Sequence, residues 1–391
     1  MGPDAGTPMG RCGRYDLLRR VGIGGMGEVF LARTREGAGA GEFVAIKRLL
    51  PQCASDPAFI GMFLDEARLT RRLVHPNICR VMEHGQSQSH YFLAMEHIEG
   101  VSLKEILFAA QRHREHLPVS FVSWVIAQTA AGLDHAHRVA DEIGVHVGVV
   151  HRDVSPANIM VSRRGEVKIV DFGLAKARTQ LHKTMPGLVK GKFGYMAPEQ
   201  LGGEIDWRTD IFALGLCMYE ALTGVQMFPQ PTAALTVQAV AHYTAPPPIH
   251  ALRPEVPEAF EAVLARACAR GKKERFQSAA EMQMVIERIL AHHRSQVGPE
   301  LAATIVERYY PLRAGPTPLP ALPQRGELHD LRDLDHEPGF DGDFAGAAAG
   351  IDAEVRAMRG GPGPWVYVAL GTVAIVMVVA GIAVLALLIS S

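Results

Sequence analysis

Three glycines near the start of the chain have a spacing that can bring backbone close to phosphate groups. Residues 22–29 read GIGGMGEV, with Gly22, Gly24 and Gly27 in the pattern G-x-G-x-x-G-x-V. Glycine lacks a Cβ, so its backbone N–H groups can approach a phosphate. The glycines alone leave two alternatives open, a dinucleotide-binding turn or a plain hairpin turn. Strand-like residues follow at 29–33 and 44–47, so the loop joins strand to strand, which favours a loop that covers phosphates.

A lysine lies inside the second of these apolar strands. Burying an ammonium group costs free energy unless it meets a phosphate or a carboxylate, so Lys47 needs such a partner. Glu66 lies in residues 56–74, where apolar side chains recur at helical spacing after Asp56 as N-cap and Pro57 in the first turn. Alone, Glu66 would be a solvated surface acid. Beside Lys47 it becomes a candidate partner.

Polar triplets follow in a fixed order further along the chain. The sequence reads HRD at 151–153 with Asn158 after it, DFG at 171–173 and APE at 197–199. Each triplet could arise by chance, but all of them in this order after the glycine loop could not. Residues 15–292 resemble the bacterial eukaryotic-like (Hanks-type) serine/threonine protein kinases. The resemblance implies an α+β, two-lobed protein-kinase fold, with a β-rich N-lobe over about 15–98 and a larger helical C-lobe over about 99–292.

The resemblance also implies ATP and Mg²⁺ as cofactors and protein hydroxyls as substrates. Phosphoryl transfer depends on charge neutralisation and positioning, so cations and acids should surround the triphosphate. By resemblance, Lys47 would hold the α- and β-phosphates and Glu66 would orient Lys47. Asp171 and Asn158 would bind Mg²⁺ through hard oxygen ligands. Asp153 would accept the proton of the substrate hydroxyl.

The nucleotide pocket is likewise implied by the resemblance. Met95 would be the gatekeeper, the backbone of residues 96–98 would bind adenine, and apolar side chains would sandwich the ring, although such side chains on strands are more often plain core. The implied pocket consists of Val21, Gly22, Gly24, Gly27, Val29, Ala45, Lys47, Met95, Glu96, Ile98 and Met160.

Two positions depart from the family pattern. The family usually has lysine two residues after the catalytic aspartate, where this chain has Ser155, and threonine in the activation segment where this chain has Lys192. In the family these two positions meet beside the γ-phosphate. A cation and a hydroxyl therefore remain, exchanged between the two positions. We expect Lys192 to supply the cation and Ser155 the hydroxyl, so that activity survives.

Other matched positions concern the scaffold and regulation. Asp210 matches the buried helical aspartate that ties down the catalytic loop, and Arg275 matches the arginine that pairs with the glutamate of the APE triplet. The activation segment contains Thr179 and Thr184 as candidate phosphorylation sites. A phosphate there would neutralise Arg152, which precedes the catalytic aspartate, and would order the segment.

Composition excludes several other classes of protein. The 391 residues carry 40 Lys and Arg against 41 Asp and Glu, a formal net charge of −1, so nothing global favours nucleic-acid binding. Five widely spaced cysteines without a C-x-x-C pair predict neither a disulfide framework nor a zinc site, and they suit a reducing cytosol. Residues 1–14, rich in glycine and proline, predict a flexible tail.

The C-terminal part predicts a membrane anchor. Residues 365–389 carry no charge, and a helix of that length spans about 37 Å, more than the hydrocarbon core of about 30 Å. Trp365 marks its edge, and Arg356 and Arg359 precede it, so the kinase domain should face the cytoplasm from a single-pass segment in the inner membrane. Residues 293–364, rich in proline and glycine and partly acidic, predict a linker.

Alternatives to a protein serine/threonine kinase remain open. A pseudokinase that senses nucleotide or binds partners would fit the Ser155 and Lys192 departures, but Lys47, Asp153, Asn158 and Asp171 are intact. A kinase of small molecules is disfavoured by the full activation segment. Tyrosine specificity stays open, because the lysine that usually marks serine/threonine enzymes is replaced. Self-association for trans-autophosphorylation is a further expectation.

Overall fold

The computed structural model describes residues 8–311 except 25–26, 38, 89, 141–147, 173–191 and 294–296, and not the side chains of Ala58, Glu66 and Lys192. These residues belong to one unit, Met1–Pro316, and a second unit, Thr317–Ser391, lies wholly outside them. The predictions for Thr179, Thr184 and the segment 365–389 therefore concern residues that the structure does not describe.

The first part of the chain forms an antiparallel sheet of six strands. The glycine-rich residues make hairpins, and β-branched and aromatic side chains fill the strands between them. The strands, in the sheet order β1-β2-β3-β4-β6-β5, are β1 (Gly10–Cys12), β2 (Tyr15–Ile23), β3 (Gly27–Thr34), β4 (Phe43–Leu49), β5 (Val81–Ser87) and β6 (His90–Glu96).

The register of this sheet places the expected cleft residues on one face. Val29 pairs with Lys47, Lys47 pairs with Leu93, and Ala45 pairs with Met95. Directly paired residues point to the same side of a sheet. The other side is filled by an apolar cluster of Cys12, Tyr15, Leu17, Phe30, Ala32, Val44, Ile46, Phe92 and Ala94. On the opposite face, Lys47, Leu93 and Met95 line a small cavity, so a ligand would bind on that side of the sheet.

Helix α1 (Pro57–Thr70) lies between β4 and β5 and packs on the Lys47 face through Phe59, Phe63 and Ala67. It begins at the proline that the sequence predicts but ends four residues before the predicted limit at residue 74. The chain turns there, because the N–H of Leu73 bonds the carbonyl of Thr70 at 3.0 Å and buries the leucine.

The larger part of the chain is helical, and its helices pack around a single buried one. Helix α4 (Arg208–Thr223) is buried along its whole length from Thr209 onward, as expected for a helix that is apolar on every side. The other helices are α2 (Leu103–Arg112), α3 (Val119–His137), α5 (Ala233–Ala241), α6 (Ala259–Ala267) and α7 (Ala279–His292). Ser102 and Glu105 form a capping box at the start of α2.

A small antiparallel sheet joins the two parts. It consists of β7 (Gly100–Ser102), β8 (Ile159–Ser162) and β9 (Val167–Ile169), with β8 in the middle. Backbone hydrogen bonds link β9 to the first part of the chain, from Cys79 N to Ile169 O at 2.8 Å and from Ile169 N to Asn77 O at 2.9 Å. The two-lobed α+β architecture predicted from the sequence is confirmed.

The predicted linker begins later than residue 293. Helix α8 (Pro299–Tyr309) follows α7 and buries Ala302, Ile305 and Val306 against the helical lobe. These apolar residues have helical spacing, but the proline-rich composition that follows them obscured the pattern. Among the described residues, no helix is both long and apolar enough to cross a membrane.

Close packing around α4 leads to a stability prediction with a matched control. A Cβ on Gly215 of α4 would lie 2.6 Å from Cys268 Sγ, whereas a Cβ on Gly61 of α1 would meet no atom within 4 Å. We expect Gly215→Ala to lower the free energy of unfolding by about 1–3 kcal/mol through overpacking. Gly61→Ala should raise it by up to about 1 kcal/mol, because alanine favours helix. Urea denaturation of both variants tests this, and a Gly215→Ala protein as stable as the wild type would contradict it.

Candidate active site

An ion pair joins two residues that lie far apart in the sequence. Lys47 on β4 is only 5% exposed, and its Nζ lies 2.5 Å from Oδ1 of Asp171, which follows β9. The backbone at Asp171 has φ of 63°, in the left-handed region that non-glycine residues seldom adopt. Such strain persists only where the surroundings enforce it, and it is common at functional sites. The side chain of Glu66 lies outside the described residues, so its pairing with Lys47 stays a prediction.

Asn158 connects the catalytic-loop aspartate to the segment before Asp171. Its Nδ2 donates to the carbonyl oxygen of Asp153 at 2.7 Å and to the carboxylate Oδ2 of Asp153 at 3.0 Å. Its own carbonyl oxygen accepts from the N–H of Val170 at 3.0 Å. Thus Asp153, Asn158 and Asp171, together with Lys47 on β4, form one connected set between the two lobes.

These side chains fit a hard divalent cation. Carboxylate and amide oxygens are the ligands Mg²⁺ prefers, and it usually takes one or two protein ligands with the remainder from phosphates and water. Because Nδ2 of Asn158 donates both of its bonds to Asp153, the amide oxygen is the atom suited to coordinate the ion. The donor set of Asn158 and Asp171 therefore agrees with the cofactor expected from the sequence.

A buried carboxylate on α4 holds the catalytic loop. Asp210 has no exposed surface, and its oxygens accept from the backbone N–H of His151 at 2.8 Å and of Arg152 at 2.7 Å. Nε2 of His137 lies 2.8 Å from the same carboxylate. Arg152 has φ of 66°, a left-handed conformation that these bonds stabilise. The contacts match the loop-anchoring role expected for Asp210.

The APE glutamate forms a buried, bidentate ion pair with Arg275. The two guanidinium nitrogens lie 2.7 and 2.8 Å from the two carboxylate oxygens of Glu199, and Thr209 Oγ1 donates to the same carboxylate at 2.8 Å. Arg275 also donates to three backbone carbonyls. Burial by itself would raise the pKa of Glu199, but the hydrogen bonds and charge of Arg275 outweigh burial and hold that pKa below its ordinary value.

The residues implied for the nucleotide pocket lie along the same cleft. Val29, Ala45 and Met95 share the Lys47 face of the sheet, and Met160 lies on β8. A Cβ on Gly27 would lie 2.8 Å from the carbonyl oxygen of Arg48, so this glycine is required by close backbone contact within the hairpin. The remaining implied positions, Val21, Gly22, Gly24, Glu96 and Ile98, are half-buried or exposed.

Ser155 is 4% exposed, and its hydroxyl has no hydrogen-bond partner among the residues that the structure describes. A buried hydroxyl without a partner costs free energy and needs an explanation. Lys192 begins a short 3₁₀ turn, Lys192–Tyr195, but its side chain is not described. The expected exchange of roles between these two positions therefore stays a prediction.

Several contacts in and near the cleft were not predicted from the sequence. The Glu96 side chain accepts a hydrogen bond from Lys168 Nζ at 2.9 Å. The Tyr195 hydroxyl donates to Glu220, and burial raises the pKa of that glutamate. Cys79 lines a small cavity with Lys47, and burial raises the pKa of its thiol to about 12. The other cysteines, Cys12, Cys53, Cys217 and Cys268, are also buried. No local sequence pattern reveals such pairs, because the partners are distant in the chain.

Comparison with known proteins assigns this fold and site to a family. Residues 15–293 match the protein kinase domain, and the chain therefore belongs to the protein kinase family, with a domain of the bacterial Hanks type. The kinase domain of PknI from Mycobacterium tuberculosis superposes with a TM-score of 0.55 at 27% identity, covering 71% of this chain and 96% of that one.

Curated relatives carry both kinds of kinase name. The tyrosine-protein kinase MasK of Myxococcus xanthus is 42% identical over 73% of this chain and 44% of its own length. The serine/threonine-protein kinase PknH of Mycobacterium tuberculosis is 34% identical over 80% and 47%, and PknA of the same species is 34% identical over 82% and 69%. The chain spans less than half the length of the first two relatives.

The Glu199–Arg275 pair predicts acid sensitivity. A carboxyl whose folded pKa is depressed stabilises the fold above its ordinary pKa of 4.5, and this stability is lost as the pH falls through the lower folded value. Glu199→Gln leaves a buried guanidinium without its counter-charge and should cost about 3–5 kcal/mol at pH 7. The difference in unfolding free energy from wild type should shrink as the pH falls below 4.5.

Denaturant titrations between pH 7 and pH 3.5 measure this difference. Glu258→Gln, at an exposed carboxyl, is the control and should follow the wild-type profile. A difference that stays constant across this pH range would show that Glu199 titrates at its ordinary value.

Proposed function

We propose that this chain is an ATP- and Mg²⁺-dependent protein kinase that transfers the γ-phosphoryl group to serine or threonine hydroxyls. The observation that supports this most directly is the connected set of Lys47, Asp171, Asn158 and Asp153 between the lobes. A pseudokinase would not need these four residues together. Their combination of one cation, two carboxylates and an amide matches the demands of phosphoryl transfer.

In this mechanism, each side chain has one task. Lys47 binds the α- and β-phosphates by charge, and Glu66 orients it. Asp171 and Asn158 would hold Mg²⁺, which would supply positive charge to neutralise the phosphates. Asp153 accepts the hydroxyl proton as the substrate oxygen forms its bond to the γ-phosphorus, and the bond from that phosphorus to the β-phosphate bridging oxygen breaks to release ADP.

The identity of the accepting hydroxyl has a specific alternative. The relative MasK is named a tyrosine-protein kinase, whereas PknA and PknH are named serine/threonine-protein kinases. Replacement of the usual lysine by Ser155 removes the residue that most often accompanies serine/threonine specificity. Tyrosine phosphorylation is therefore the second candidate function.

The proposal also covers where in the cell the kinase domain lies. Residues 365–389 would anchor the protein in the inner membrane, residues after α8 would form the linker, and the kinase domain would face the cytoplasm. Anchoring confines molecules to a surface and so favours phosphorylation of one copy by another. At least one of Thr179 and Thr184 would receive the phosphate, which would pair with Arg152.

Phosphate transfer is tested directly with the full-length chain. After incubation with Mg·ATP, the wild type should incorporate phosphate, and Lys47→Met and Asp153→Asn should each reduce incorporation by at least about 10²-fold, because each removes a charge from the transfer step. Mass spectrometry of the product identifies serine, threonine or tyrosine. Incorporation that is unchanged in both variants would mean that the active site lies elsewhere.

The exchange of roles between Ser155 and Lys192 calls for a double-mutant cycle. Ser155→Lys crowds the site with a second cation, and Lys192→Thr removes the cation, so each single variant should lose about 10–10³-fold in rate. The double variant restores the usual family arrangement and should recover most of the rate. Initial rates of phosphate transfer at saturating ATP measure this. A double variant no faster than the slower single variant would refute the exchange.

A further inference from the structure

Helix α8 lies beyond the residues that match the protein kinase domain, which end at 293. It is nevertheless an integral part of the helical lobe. Ala302 and Val306 have no exposed surface, and Ile305 is 5% exposed. A helix held only by surface charges would not bury three apolar side chains on one stripe.

Both ends of α8 contact the turn between β8 and β9. Arg163 in this turn donates through Nη1 to Oε2 of Glu307 at 3.0 Å and to the carbonyl oxygen of Tyr310 at 2.9 Å. A Cβ on Gly165 would lie 1.7 Å from the carbonyl oxygen of Pro299, so turn and helix start are in direct backbone contact. The turn is therefore held at two points by α8.

The other end of the same hairpin carries both candidate metal ligands. Strand β8 begins immediately after Asn158, and β9 ends two residues before Asp171. The two strands are only four and three residues long, and every residue of β9 pairs with one of β8. A short paired hairpin moves as one body, so a shift at its turn reaches both ligands.

The C-terminal end of α8 contacts α2 and the residues just after it, and α2 itself follows β7 directly. The hydroxyl of Tyr310 donates to the carbonyl oxygen of Glu105 at 3.0 Å. The hydroxyl of Tyr309 donates to Glu115 at 3.0 Å, and Arg308 forms an ion pair with the same carboxylate at 2.5 Å. Helix α8 thus connects the segment next to the adenine side of the cleft with the hairpin that carries the metal ligands.

We propose that α8 is a positioning element of the kinase, which acts through Arg163 to set the geometry of Asn158 and Asp171 for Mg²⁺. The proposal rests on the proposed function, since it concerns the metal of that reaction. Arg163 lies in the turn at the opposite end of the hairpin from Asn158 and Asp171, so its loss should weaken only the part of ATP binding that depends on Mg²⁺.

Calorimetric titration of the full-length chain with ATP, in Mg²⁺ and separately in EDTA, measures the Mg²⁺-dependent part of ATP binding. Arg163→Ala should weaken ATP binding about three- to tenfold in Mg²⁺, as expected for loss of hydrogen bonds that hold a site, and should leave binding in EDTA unchanged. Arg163→Lys keeps a positive charge beside Glu307 and should weaken binding less than Arg163→Ala does. A merely structural defect would weaken binding in both conditions.

Neighbouring residues supply the controls. Arg164 is exposed and its side chain makes no hydrogen bond among the described residues, so Arg164→Ala should match the wild type. Gly165→Ala should act like Arg163→Ala, whereas Gly41→Ala, at a glycine with a similar positive φ and open space, should not. Equal Mg²⁺-dependent binding in Arg163→Ala and Arg164→Ala would overturn the inference.

Failure of the inference can be separated from failure of the proposed function. Asp171→Asn should abolish the Mg²⁺-dependent part of ATP binding if the metal site is assigned correctly. If it does so while Arg163→Ala binds like the wild type, the inference alone is wrong. If Asp171→Asn keeps the full Mg²⁺ dependence, the assigned metal site and the inference both fail.

Discussion

The arrangement of the site depends on one carboxylate that no water can reach. Asp210 lies on the most deeply buried helix, and an isolated charge there would be prohibitively costly. Two backbone N–H groups of the catalytic loop and the ring of His137 satisfy it. The same bonds hold Arg152 in a left-handed conformation and so determine the position of the adjacent Asp153. A loop that would otherwise sample many shapes is thereby fixed to the rigid centre of the helical lobe.

Two other charge pairs also hold segments of the chain in fixed positions. Arg275 and Glu199 fix the end of the activation segment to the helical lobe, with each guanidinium N–H group directed at an oxygen. Lys47 and Asp171 join the two lobes across the cleft. Pairs of this kind add little to stability compared with apolar packing, but removing one partner is expensive. They therefore specify one geometry more than they strengthen the fold.

Much of the site could be predicted from the sequence, because the resemblance of its motifs to those of the protein kinases implies roles for Lys47, Asp153, Asn158 and Asp171 without knowledge of their contacts. The two lobes also followed from the change between strand-like and helical periodicity. Tertiary details could not be predicted. The pairing of Glu96 with Lys168 depends on contacts between distant segments. The short apolar stripe of α8 was missed because the proline-rich residues that follow it dominate the composition of that region. Only the folded chain shows that the Ser155 hydroxyl is buried with no hydrogen-bond partner among the described residues.

All five cysteines are buried, and burial raises the pKa of each thiol. Thiolates are the species that react with peroxide, glutathione disulfide and alkylating reagents, so the native protein offers these reagents almost no target. The thiol of Cys79, which lines a cavity with Lys47, should therefore stay unmodified by such reagents while the fold is intact. For spectroscopy, one cysteine introduced at the surface would accept a fluorescent or spin label without prior removal of the native ones.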